Sequence, residues 1–104
     1  MNKMTDGMIG KTCMVRTYSA GVFYGEIVSM SDDGKQAVIK NSRQVWYWDG
    51  AATLSQLATE GTTAPQNCKF PVAVVERYVT EVIEVLPMTD KAIASLNAVK
   101  EWKR

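Results

Sequence analysis

The segment from Lys40 to Ala51, KNSRQVWYWDGA, holds two of the chain's three tryptophans together with a tyrosine and an arginine. Indoles stack on planar ligands, and a guanidinium grips phosphate as a two-pronged fork or lies against an aromatic plane. In a strand, neighbouring side chains alternate between faces, so Trp46 and Trp48 share one face and Val45 and Tyr47 the other. Buried, that indole face is core. Lining a cleft with Arg43 and Arg16, it has what a planar anion such as a nucleotide requires. Arg16 lies near the end of a first strand, on the side of Thr12 and Met14 and opposite the apolar Cys13 and Val15. Tyr18 and Ser19 occupy a connection where hydroxyls and amides meet solvent, and Lys69 stands just past a loop, within reach of a phosphate. The candidate ligand set is therefore Arg16, Tyr18, Ser19, Arg43, Trp46, Trp48 and Lys69. Each has a plainer alternative: core for the indoles, snorkelling for the arginines, turn chemistry for Tyr18 and Ser19, surface charge for Lys69.

Catalytic chemistry has few carriers. The chain contains no histidine, so acid–base work near neutral pH would fall to a perturbed carboxylate, lysine or cysteine. None of the 11 acidic residues forms a pair spaced as a catalytic dyad. The glycine-rich phosphate cradles are missing, and two cysteines without histidine cannot complete a structural zinc site. No enzyme activity, metal or cofactor is expected. A formal net charge of +1 disfavours duplex nucleic acid as the main partner, because counterion release needs many cations on one surface. A ligand with one or two phosphates suits the same balance.

These residues must be positioned by a single domain spanning 1–104, since the chain shows no linker and no internal repeat. Residues 12–17 and 22–30 read as strands joined by Tyr18-Ser19-Ala20-Gly21, and Asp33-Gly34 turns the chain into strands at 36–40 and 44–48, separated by a short polar turn at Asn41-Ser42-Arg43. Thr53 and Gln56 have capping-box spacing for a short helix near 53–60, ended by Gly61. Residues 72–86 form one long bent strand or two broken near Glu76-Arg77. Thr89 caps a C-terminal helix near 90–102, with Ile93, Leu96, Val99 and Trp102 as its apolar stripe. The expected fold is α+β: a strongly curved antiparallel sheet of five or six strands, up to a small open barrel, with one short and one longer helix. No run is long and apolar enough to span a bilayer, and Met1–Gly7 lacks the form of a signal peptide, so the cytoplasm is the expected location.

The stretches VRTYSAGV at Val15–Val22 and WYWxGAxxLSQLA at Trp46–Ala58, with Lys40–Arg43 and Cys68–Phe70, resemble a family of small uncharacterised proteins of tailed bacteriophages. The resemblance covers about residue 10 to Trp102. It departs from the family at Ser42 and Gln44, where one further basic residue is usual, so a two-arginine clamp is not carried over. It implies a phage origin, a host-cytoplasm location and no mechanism. For small phage accessory proteins, binding is the common mode of action. The function expected here is non-catalytic sequestration of a nucleotide-derived host immune signal, of the cyclic oligonucleotide or cyclic ADP-ribose type, by a homo-oligomer. Inhibition of a host protein through the aromatic residues and single-stranded nucleic-acid binding are the alternatives.

Overall fold

Alternation of β-branched, aromatic and small residues produces β1 (Thr12–Thr17) and β2 (Val22–Met30) in the computed structural model, with Val15 opposite Phe23 and Met14 opposite Tyr24. The structure describes residues 4–104, so the first three residues of the segment read for a leader lie outside the described residues. The Asp33-Gly34 turn is held by the Asp33 carboxylate, which accepts from the Ser31 hydroxyl and the Lys35 amide. It leads into β3 (Ala37–Gln44), and β4 (Val74–Val79) and β5 (Val82–Pro87) complete one antiparallel sheet in the order β4-β3-β2-β1-β5. Two helices, α1 (Leu54–Glu60) and α2 (Asp90–Asn97), accompany it, and the fold is α+β. Both helix starts follow the expected chemistry: Thr53 accepts from the Gln56 amide and Thr89 from the Ala92 amide. Gln56 reaches back to the amide of Ala52, one residue beyond the position a capping box uses.

The order of strands dictates curvature. β4 and β5 are the two edges of the sheet, yet only Thr80 and Glu81 separate them in the chain. A flat five-stranded sheet holds its edges about 19 Å apart, at about 4.8 Å per strand, whereas the step from Val79 to Val82 covers at most about 11 Å. The sheet therefore curls until its edges approach at this end. No ladder joins β4 to β5 among the described residues, so the curl stays open. Glu81 takes φ 56, and its carbonyl accepts from the Tyr18 amide at 2.9 Å. The break falls here and not at Glu76-Arg77, because those two residues stay in register opposite Lys40 and Ile39.

The strands expected at 36–40 and 44–48 are corrected to one. β3 runs through Asn41-Ser42-Arg43, which is a bulge and not a turn: Tyr24 faces Arg43 and Glu26 faces Lys40, leaving Asn41 and Ser42 together opposite Gly25. Asn41 takes φ 51, and a Cβ on Gly25 would come within 3.0 Å of the Lys40 carbonyl and of Ser42. Gly25 is thus what lets the bulge close.

Curling gives the sheet two buried faces. Inside the curl pack Cys13, Val15, Phe23, Ile27, Ile39, Val79 and Val82. On the other face, Met14, Tyr24, Val45 and Phe70 pack with Leu57 and Ala58 of α1 and Leu96 of α2. Met14 is therefore buried although it points away from Cys13 and Val15, and Arg16, one step further along the same face, is at the surface.

Candidate ligand-binding face

β3 ends at Gln44, and the Val45 amide makes one more bond, to the Val22 carbonyl at 2.8 Å, before the chain leaves the sheet. Tyr47 then bridges Lys69 alone, the two amides and carbonyls exchanging bonds of 3.2 and 2.8 Å. Trp48 is half-buried against the helix-side core, while Trp46 is 61% exposed and Tyr47 is exposed beside it. The two indoles thus differ in environment, one at the surface and one against the core. Trp46 stacks on Trp102, with ring centroids 6.2 Å apart and planes 19° from parallel.

Trp102 reaches that position because α2 stops at Asn97, five residues before the expected end. The cause is Arg43. Its guanidinium is buried at 7% exposure and donates to the carbonyls of Val99 (2.8 Å), Phe70 (3.0 Å), Leu96 (3.3 Å) and Pro71 (3.4 Å), with the Phe70 ring 5.3 Å away. A continued helix would give the Leu96 and Val99 carbonyls to the amides of Lys100 and Lys103. Here Arg43 donates to the Val99 carbonyl and shares the Leu96 carbonyl with the Val99 amide at 3.1 Å, so a cation meets the negative end of α2. The chain then runs beside Phe70, whose carbonyl also accepts from the Trp102 amide at 2.9 Å. Arg43 thus offers nothing to a ligand directly. It ties together the two segments that carry Lys69 and Trp102.

The Lys69 ammonium lies 5.5 Å from the centre of the Trp102 ring and 5.9 Å from that of Tyr47, within cation–π range of both. Lys100, Lys103 and Arg104 are exposed around the same indole, and Glu101 is paired with Lys103 at 3.3 Å. A groove of about 430 Å³ opens between residues 65–68 and 98–102. Its outer wall is pinned through Asp49: the Asn67 amide donates to the Asp49 carboxylate at 2.9 Å, the Gly50 amide does likewise, and Thr62 donates to the Asp49 carbonyl. The first two bonds hold the Asp49 carboxyl below its ordinary range.

Of the predicted residues, Trp46 and Lys69 meet at this face. Arg43 is buried under the segments that carry Lys69 and Trp102, and Trp48 packs against the helix-side core. Arg16 pairs with Glu84 at 3.0 Å on the β1–β5 surface, Ser19 donates to Glu81 at 2.6 Å, and Tyr18 stands exposed beside it. Among the described residues, no hydrogen bond, ion pair or ring contact joins these three to the indole pair; the nearest link is Gln44 donating to the Ala20 carbonyl. Sequence reasoning missed Trp102, because its helical spacing after Ile93, Leu96 and Val99 reads as core. The signal that could have found it is Lys100-Glu101-Trp102-Lys103-Arg104, an aromatic set among cations.

A family model described as Domain of unknown function (DUF6948) matches residues 10–96. The chain belongs to this family. No curated protein and no solved structure matches it. The DUF6948 span contains β1 to β5, Arg43, Trp46 and Lys69, and it ends inside α2, so Trp102 and its basic neighbours lie beyond the matched residues. No helix among the described residues is long and apolar enough to cross a membrane.

Proposed function

We propose that this protein binds a nucleotide-derived anion on the Trp46–Trp102 face and holds it without chemical turnover. The observation that carries the reading is the exposed indole stack with a lysine ammonium 5.5 Å from one ring. With Trp46 on one face of Trp102 and the Lys69 ammonium over that ring, the exposed Trp46 supplies the outer face for a base, and Lys69, Lys100 and Arg104 stand near the pair as phosphate partners. Nanomolar binding needs about 12 kcal/mol. One stacked base supplies about 1–3 kcal/mol, and charge-assisted bonds to phosphate about 1.5–3 kcal/mol each. Such a sum suffices only where ordering costs are small, and the Arg43 and Asp49 anchors keep this surface preformed. The resemblance to proteins of tailed bacteriophages supplies the setting: in the host cytoplasm, tight stoichiometric binding removes an immune signal of cyclic oligonucleotide or cyclic ADP-ribose type. The homo-oligomer expected from the chain's size belongs to the same proposal, a second protomer enclosing the open side of the face.

Thermal unfolding of the protein with AMP, cyclic dinucleotides and cyclic ADP-ribose derivatives tests this reading. A ligand at 100 times its dissociation constant adds about 2.7 kcal/mol of stability. We expect a stabilising member of the panel, quenching of tryptophan fluorescence on binding, and loss of both in Trp102→Ala. A panel without any shift overturns the reading and leaves the exposed rings as a contact for a protein partner.

A further inference from the structure

We infer that the open edge of β4 takes up an extended segment of a partner protein, one that carries a carboxylate with an apolar residue two positions to either side. β4 is an edge of the sheet, and beyond its ladder to β3 the main chain of Val74–Val79 makes no backbone hydrogen bond among the described residues. A row of alternating free amides and carbonyls is matched by another polypeptide backbone and by little else. The edge is also apolar, with Val75 78% and Tyr78 73% exposed. Its two charges face opposite ways: Glu76 lies across from Lys40 on the outer face, while Arg77 shares the inward face with Val75 and Val79.

Arg77 selects the partner. Its Nε donates to the buried Ser42 hydroxyl at 2.8 Å, and its guanidinium lies 4.5 Å from the centre of the Phe23 ring. Among the described residues no carboxylate pairs with it, and its two terminal nitrogens make no hydrogen bond and are not buried. Desolvation holds this guanidinium below the ordinary arginine range. A half-buried cation without a counter-charge calls for an anion, and the residue directly opposite Arg77 on an added strand is the cross-strand neighbour placed to supply it. Residues two positions away on that strand then cover Val75 and Val79. A second copy of the chain does not fit this edge. Paired with itself about a two-fold axis, β4 sets only odd-numbered residues on the face of Arg77, and Ala73, Val75, Arg77 and Val79 include no acid. On the other edge strand, Glu84 is already held by Arg16 at 3.0 Å.

Calorimetric titration of the full chain with the end-capped peptide Lys-Thr-Val-Thr-Glu-Thr-Val-Thr-Lys, and with the same peptide carrying Gln for Glu, tests the inference. The pattern is symmetric, so the peptide presents Val, Glu and Val on one face in either strand direction. We expect the glutamate peptide to bind about tenfold or more tightly than the glutamine peptide, the worth of a charge-assisted bond, and to slow hydrogen exchange at every second amide of Val74–Val79. In Arg77→Gln the two peptides are expected to bind alike. The decisive comparison is made on the unaltered protein, so it stands even where that variant folds poorly. Equal binding of the two peptides by the parent, protection confined to other strands, or binding of neither overturns the inference. So does a dimer whose β4 amides are protected without peptide, which makes a second copy the occupant. None of these outcomes bears on the nucleotide reading, which the thermal panel decides separately.

Discussion

Arg43 and Trp102 show how misleading residue type is without environment. An arginine beside tryptophans has the chemistry of a phosphate clamp, but this one is sealed under α2 and satisfies four carbonyls. Its removal takes the charged donor from the Val99 and Pro71 carbonyls, at about 1–3 kcal/mol each, while the Phe70 and Leu96 carbonyls keep the amides of Trp102 and Val99. Arg43→Ala should therefore lose about 3 kcal/mol or more of stability, lowering Tm by roughly 12 °C or more. Trp102→Ala removes a half-exposed ring whose stacking is worth about 1 kcal/mol, so it should fold nearly as well as the parent while losing ligand. Calorimetry of the two variants checks the pair. An Arg43→Ala protein with unchanged Tm would return that guanidinium to the list of ligand contacts.

At the scale of elements, the face depends on where α1 and α2 end and how they meet. Gly61 closes α1 at φ 81 and ψ −158, a region open to glycine almost alone. A Cβ there would stand 2.4 Å from Cβ and Oγ of Ser95 on α2, and that hydroxyl accepts from the Thr62 amide at 3.0 Å. Gly61→Ala therefore strains the backbone, separates the helices and breaks a bond in one step. The expected cost is about 2 kcal/mol or more, read as a lower urea midpoint at unchanged slope. A neutral substitution would show that the contact between the helices tolerates movement. The helix starts were legible because Thr53 and Thr89 act on amides three residues away. The end of α2 was not, because Arg43 reaches it from 53 residues earlier in the chain.

At the scale of the whole molecule, one curled sheet is shared by two cores. Consecutive residues of β1 serve both, Cys13 and Val15 inside the curl and Met14 under the helices, so neither core forms without the strand that makes the other. Unfolding should therefore be a single cooperative transition. Tryptophan fluorescence, which reports on Trp48 at the helix-side core, and far-UV circular dichroism, dominated by the sheet, should give coincident curves. Separate midpoints would mean that the helix layer detaches from a sheet that holds by itself.

Local chemistry by itself determined a good deal of this protein: the first two strands, the Asp33-Gly34 turn, both helix starts and an α+β domain, all written in residues that act on near neighbours. The bulge at Asn41-Ser42 was beyond that reach, since it exists only where Gly25 of a paired strand makes room. So was the ligand face. Tertiary structure alone decided that Trp46 finds Trp102 and not Trp48, because carbonyls competing for one buried guanidinium end a helix and release its last apolar residue to the surface.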